Sequence, residues 1–268
     1  MSDYSKYFEA NRELWNRRTP VHVASKFYDV DSFLRGRNSL TVMEKEMLGP
    51  VAGKRILHLQ CHFGQDSLSL ARMGAEVVGV DFSPEAIREA RKLNERLGLS
   101  ARFLECNVYE LPERLEERFD VVFTSFGALC WLPDLEAWAE VVQRFLLPGG
   151  RLALAEFHPT LYLFDFDSGE PAYHYFNSGA PYEEISEGTY TEGGDSLNLP
   201  SYFWVHSLDA VLHPLLERGF RLLRFREYDF SPFNCFPNML ERRPGEYVFQ
   251  LKGLRLPHVF ALSAESSP

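Results

Sequence analysis

Between residues 51 and 157 the chain alternates two hydrophobic patterns. Short apolar runs at 55–59 (RILHL), 76–80 (EVVGV), 102–106 (RFLEC), 119–125 (FDVVFTS) and 151–157 (RLALAEF) have the composition of strands buried on both faces. The stretches between them carry apolar residues at helical spacing. One predicted helix opens at Ser83, whose hydroxyl caps it, with Pro84 at the first helical position. Ile87, Ala90, Leu93 and Leu97 form its inner stripe, and Gly98 stops it. Another runs from about Asp134, with Trp138, Val141, Val142 and Phe145 on one face, until Pro148-Gly149-Gly150. Strands alternating with helices predict a doubly wound, mostly parallel sheet, because right-handed crossovers leave few other packings.

The flanks are less regular. Residues 4–17 read as an amphipathic helix with Tyr7, Phe8, Leu14 and Trp15 inward, and a second helix opens at Thr41 with Glu44 completing a capping box. Residues 158–206 are rich in Gly, Pro, Tyr and Phe and show no clear period, as expected of an insertion that caps the sheet. A helix at 207–218, with N-cap Ser207 and stop Gly219, and a strand at 220–229 resume the alternation. A second irregular stretch, 231–245, precedes strand-like runs at 246–251 and 257–262. The reading is one domain over 1–268, with N-terminal helices in 1–50 and cap insertions at 158–206 and 231–245.

Composition narrows the function classes. With 28 Lys and Arg against 38 Asp and Glu, the net charge of −10 argues against binding nucleic acid through a basic face. Cys61, Cys106, Cys130 and Cys235 form no CxxC pair and fit a reduced, cytoplasmic protein better than a disulfide scaffold or zinc site. The polar N-terminus has no signal-peptide core, and no apolar run reaches the roughly 20 residues a membrane span needs. The expected partner is therefore a small molecule, with no nucleic acid and no membrane.

The candidate chemistry lies in 55–83, a strand, a tight turn, a helix and a strand ending in Asp81. In such sheets ligands bind beyond the carboxyl ends of the strands, where the strand order reverses. Asp81, 23 residues after His58, stands where a carboxylate accepts hydrogen bonds from both hydroxyls of a ribose. The fingerprint G-x-G-x-x-G of dinucleotide enzymes is missing two of its three glycines, and no P-loop pattern occurs.

The run Ile56-Leu57-His58-Leu59-Gln60-Cys61-His62-Phe63-Gly64 instead resembles the first motif of class I S-adenosylmethionine-dependent methyltransferases. His58 replaces that motif's acidic residue, Gln60 and His62 replace two of its glycines, and Gly64 remains. HLQCHFGQD resembles a bacterial subgroup in which these changes occur together. Gly79-Val80-Asp81-Phe82-Ser83-Pro84 resembles the ribose-binding turn, Cys106-Asn107-Val108 the adenine-contact motif, and Leu147-Pro148-Gly149-Gly150 the turn before strand five. The resemblance covers roughly 50–157, and 207–262 more loosely. It implies a Rossmann-like methyltransferase fold with a seven-stranded, mostly parallel sheet and an aromatic-rich cap after strand five. It further implies S-adenosylmethionine, released as S-adenosylhomocysteine, held by His58, Gln60, His62, Gly64, Asp81, Phe82, Asn107, Val108 and Ser125. No metal is expected, since His58, Cys61 and His62 share one tight turn and lack a fourth ligand.

Methyl transfer to a small acceptor by in-line displacement is the expected activity. A catalytically silent cofactor-binding regulator and a nicotinamide-dependent oxidoreductase are the alternatives. His158, at the end of strand five, is the best-placed candidate base, and His62 is a second. The fourth-strand exit Thr124-Ser125-Phe126-Gly127 lacks the motif of exocyclic-amine DNA methyltransferases. Between Arg151 and Arg218 there are eleven Asp or Glu residues, no Lys or Arg, and many aromatics, Phe166 among them. A cap of that composition predicts a neutral or amine-bearing acceptor, because a desolvated anion would lack a partner.

Overall fold

The computed structural model describes residues 4–165, 168–194, 197–234, 236, 238–249 and 253–267; Phe166 and Cys235 lie outside them. Three helices come first, α1 (Ser5–Ala24), α2 (Val30–Leu34) and α3 (Val42–Leu48). The alternating region then gives β1 (Arg55–Leu59), α4 (Gln65–Arg72), β2 (Glu76–Asp81), α5 (Pro84–Arg96), β3 (Arg102–Glu105), α6 (Leu111–Arg114), β4 (Phe119–Ser125), α7 (Leu135–Phe145) and β5 (Leu146–Phe157). The remainder forms β6 (Tyr182–Glu187), β7 (Asn198–Phe203), α8 (Leu208–Glu217), β8 (Arg221–Tyr228), β9 (Met239–Arg243), β10 (Glu246–Phe249) and β11 (Val259–Glu265).

Seven strands make one sheet in the order β3-β2-β1-β4-β5-β11-β8. The first five are parallel, and β11 runs antiparallel to both β5 and β8. Adjacent residues of β1 face opposite cores, as the apolar runs require: Ile56 packs with Phe33, Leu68, Ile87 and Phe103, whereas Leu57 packs with Val122, Trp138, Phe145 and Phe260. Side-chain caps start the helices where the sequence places them. Ser83 accepts from the Ala86 N–H, Asp134 from Ala137 and Ser207 from Ala210, and Thr41 with Glu44 forms the reciprocal capping box. Each such cap is worth about 1 kcal/mol. The strand order reverses between β1 and β4, which fixes a crevice at their carboxyl ends.

The differences from the sequence reading fall in the flanks. Helix α1 continues past residue 17 to Ala24, through Pro20, and the side chains it buries include Asn11, Arg18, Thr19 and His22. Tertiary partners make this tolerable: Asn11 donates to the Tyr202 carbonyl (2.7 Å) and accepts from the Tyr202 N–H (2.9 Å), docking β7 on the helix. The aperiodic 158–206 stretch contains the hairpin β6–β7, and 231–245 contains β9, which pairs with β10 outside the main sheet. The final strand is 259–265 rather than 257–262, in register with β5 along its length.

Candidate active site

The turn after β1 keeps the backbone shape of a glycine loop without two of the glycines. Gln60 and His62 both have left-handed φ, 54° and 51°, a conformation that costs a side-chain-bearing residue about 1 kcal/mol or more. Each is held by its own side chain. Gln60 Nε2 donates to the Ala128 carbonyl (2.8 Å), and His62 Nε2 lies 2.9 Å from His22 Nδ1. Gly64, φ 81°, caps α4, and a Cβ there would fall 2.7 Å from Phe103 Cε1. Only that position has no room for a side chain.

Asp81 ends β2 with its carboxylate buried, accepting from the N–H groups of His62 (2.9 Å) and Ser83 (2.9 Å). Burial pushes its pKa up to about 6, opposed by these backbone donors and that of Phe82. Asn107 uses its side-chain oxygen to cap the short turn Val108–Glu110 by accepting from Tyr109 (3.1 Å), which leaves that oxygen one free lone pair. His58 Nδ1 meets Ser67 Oγ at 2.8 Å and its ring tilts against Phe123; burial pushes its pKa down to about 3. Glu156, buried in β5, accepts from the N–H groups of Gly127, Ala128 (2.8 Å) and Leu129 (3.0 Å), so it sets the loop that receives Gln60.

These strand ends open into one cavity of about 1010 Å³. His58, Gln60, His62 and Gly64 from β1 and its turn line it, as do Asp81 and Phe82 from β2, Asn107 and Val108 from the β3 exit, and Ser125 from β4. The opposite wall comes from Trp15 and Arg18 of α1 and from the β6–β7 hairpin. Among the described residues no group of three His, Cys, Asp or Glu side chains is placed to hold a metal, and no helix is long and apolar enough to cross a membrane.

Residues 56–150 match the family model described as a methyltransferase domain. Two curated relatives share the region: a demethylmenaquinone methyltransferase of Thermus thermophilus, 42% identical over 110 residues (40% of this chain, 49% of that one), and a ubiquinone biosynthesis O-methyltransferase of Alkalilimnicola ehrlichii, 33% identical over 121 residues (44% and 49%). The chain spans about half the length of these relatives. Among solved structures, an S-adenosylmethionine-dependent methyltransferase from Mesorhizobium loti superposes with TM-score 0.56 at 21% identity, covering 87% of this chain and 99% of that one. A DhpI–SAH complex gives TM-score 0.56 at 15% identity, covering 98% of each. Residues 56–150 thus match a methyltransferase domain in sequence, and the sheet that contains them has the fold of the solved methyltransferases.

The cavity corrects two expectations. His158 does not line it. Its Nδ1 is 2.9 Å from Thr160 Oγ1 and its Nε2 is 3.0 Å from Glu227 Oε1 on β8, so the ring faces the antiparallel edge of the sheet. Burial lowers its pKa while Glu227 opposes that shift. The ring therefore bridges the exit of β5 and β8, outside the cavity lining. The second correction concerns charge. Residues 152–217 carry no Lys or Arg, yet Arg18 and Arg37 reach the cavity wall from outside that stretch. Of the cap aromatics, Tyr162, Phe164, Tyr173, Tyr190 and Phe203 line the cavity; Arg242 does not and pairs instead with Asp229 and Glu246.

Of the α1 side chains expected to face inward, Phe8 and Trp15 line the cavity, and Arg18, which was not expected there, joins them. Trp15 lines the cavity whereas Tyr7 packs on Tyr202 and Trp204. Phe8, Asn11, Trp15, Arg18 and His22 recur at intervals of three and four, one face of a helix. That face is polar beyond Trp15, so a search for apolar periodicity stops too early.

Proposed function

We propose that this chain transfers the methyl group of S-adenosylmethionine to a small-molecule acceptor. The observation carrying the proposal is the convergence of nine residues from four strand exits on one cavity, with the Asp81 carboxylate at its edge. Asp81 would accept from the ribose hydroxyls, the Asn107–Val108 turn would meet the adenine, and the turn 60–64 would lie under the methionine. Gln60 fits that role, since its Oε1 is buried without a partner. When bound, the cofactor supplies an electrophilic sulfonium methyl, and the chain's part is to orient and to exclude water. Segments 158–206 and 231–245 act as the cap. Phe126, Phe157 and Phe233 contribute apolar wall to the cavity.

His62 is the imidazole available to an acceptor hydroxyl or amine. Its Nε2 meets His22, whose Nε2 lies 2.7 Å from Thr189 Oγ1, so the tautomers of the two rings are linked. Burial and the Arg18 charge push the His62 pKa down to about 3, which keeps the ring neutral, a hydrogen-bond partner that orients the acceptor and a weak base. A small-molecule acceptor accords with the names of both curated relatives, and free thiols at Cys61, Cys106 and Cys130 with a cytoplasmic setting.

Calorimetry with S-adenosylhomocysteine and NAD, followed by transfer of a labelled methyl group to a panel of small acceptors, tests the proposal. Saturable binding of S-adenosylhomocysteine but not NAD, with transfer to at least one acceptor, is expected. Preferential binding of NAD would overturn it. Binding with no transfer to any acceptor would favour the silent regulator.

A further inference from the structure

Arg18 is 7% exposed and lines the cavity, yet among the described residues its guanidinium makes no hydrogen bond or ion pair, and its Nε is buried without a partner. A guanidinium offers five N–H donors in a planar fork matched to a carboxylate, and burying it unpaired is costly. Trp15 covers it, with Cζ 5.7 Å from the ring centroid, which leaves the edge of the fork for a ligand. We propose that Arg18 anchors an anionic group, a carboxylate, on the methyl acceptor. The proposal rests on the methyltransferase reading above.

The position of Arg18 favours the acceptor over the cofactor. Tyr190, Glu184 and Cys130, from the segment after β5 and the loop after β4, act on it electrostatically, and its own charge acts on His22 of α1 and on His62 in the turn after β1. The residues assigned to ribose and adenine lie on the exits of β2 and β3. The Glu184 charge acts on Arg18 from a distance without an ion pair, and its carboxylate accepts the Tyr173 hydroxyl, so the N–H donors of Arg18 stay unused. With no Lys or Arg between Arg151 and Arg218, the partner for an acceptor anion has to come from another part of the chain, and α1 supplies it.

The test uses the full chain saturated with S-adenosylhomocysteine, titrated with 4-hydroxybenzoate, indole-3-acetate and hexanoate, each beside its neutral amide. At least one acid should bind about tenfold or more tighter than its amide, and Arg18→Gln should abolish that preference while changing S-adenosylhomocysteine affinity less than about threefold. Arg18→Lys should retain part of the preference, keeping charge without the fork. Because the guanidinium has no hydrogen bond or ion pair to lose, only its packing on Trp15, Arg18→Gln should change the melting temperature by less than about 5 °C. The proposal is overturned if no acid is preferred, if the preference survives Arg18→Gln, or if that variant melts about 5 °C or more lower. A tenfold loss of S-adenosylhomocysteine affinity alone would also overturn it, assigning the guanidinium to the cofactor. Failure of the wild-type chain to bind S-adenosylhomocysteine is a separate result, and counts against the methyltransferase reading itself.

Discussion

The His62 N–H donates to Asp81 Oδ2 across 2.9 Å, so the left-handed turn after the first strand and the carboxylate ending the second form one unit. The same carboxylate accepts from Ser83 through its other oxygen. Its backbone partners orient it without neutralising its charge, and the carboxylate keeps acceptor capacity for a ribose hydroxyl.

Replacing Asp81 by Ala should therefore lower S-adenosylhomocysteine affinity at least about tenfold, since hydrogen bonds to a charged group are worth about 1.5–3 kcal/mol each. Circular dichroism should show the fold intact. The pKa, raised by burial to about 6, adds a pH signature. Wild-type affinity should decline as pH falls through about 6, and Asp81→Asn should remove that dependence. Unchanged affinity in Asp81→Ala, measured by calorimetry, would remove the ribose assignment.

Gln60 and His62 hold left-handed backbone through side-chain partners, so restoring the family's glycines should not improve the site. In the Gln60→Gly, His62→Gly variant, relief of about 1 kcal/mol of backbone strain per position is offset by the lost bonds to Ala128 and His22. S-adenosylhomocysteine should bind no tighter than to wild type. A variant that binds much better would mark the substitutions as damage and favour the silent regulator.

Gly64→Ala should destabilise the fold by roughly 2–4 kcal/mol, combining left-handed strain with overpacking against Phe103. Urea denaturation measures this. The double variant Gly64→Ala, Phe103→Leu should recover part of the loss, because the clash is with the ring edge. Full stability in Gly64→Ala would show that the turn shifts freely.

Burial, with the charge of Asp66 next, pushes Glu44 up to about 8 from an ordinary 4.5. Between those values the unfolded chain has released the proton and the fold keeps it, so Glu44 makes stability fall as pH rises toward 8. Glu44→Gln keeps an acceptor for the capping box and has no proton to lose. Its stability should fall less than that of wild type between pH 6.5 and 8, measured by denaturant midpoints. Parallel curves would show that Glu44 does not titrate in that window.

The central strands, the capped helices α3, α5, α7 and α8, and the place of Asp81 were legible in the sequence. Each rests on local signals: apolar runs buried on both faces, a capping side chain followed by a 3.6-residue stripe, and a fixed distance from turn to strand end. The same signals brought the proposed cofactor residues together, since every one of them lies at or near the exit of a parallel strand. The role of a side chain with partners distant in sequence was not legible. His158 directly follows β5, at a strand exit like the other candidate site residues, but β11 and β8 close that side of the sheet, and Glu227, 69 residues away, takes its ring. Arg18 looks like one more solvated arginine until α1 is laid across the cavity and Trp15, Glu184 and Tyr190 surround it. Local sequence determined where the backbone turns and which ends of the strands form the site. Which charges lose their water there was decided only by tertiary packing, because desolvation depends on neighbours that the chain supplies from elsewhere.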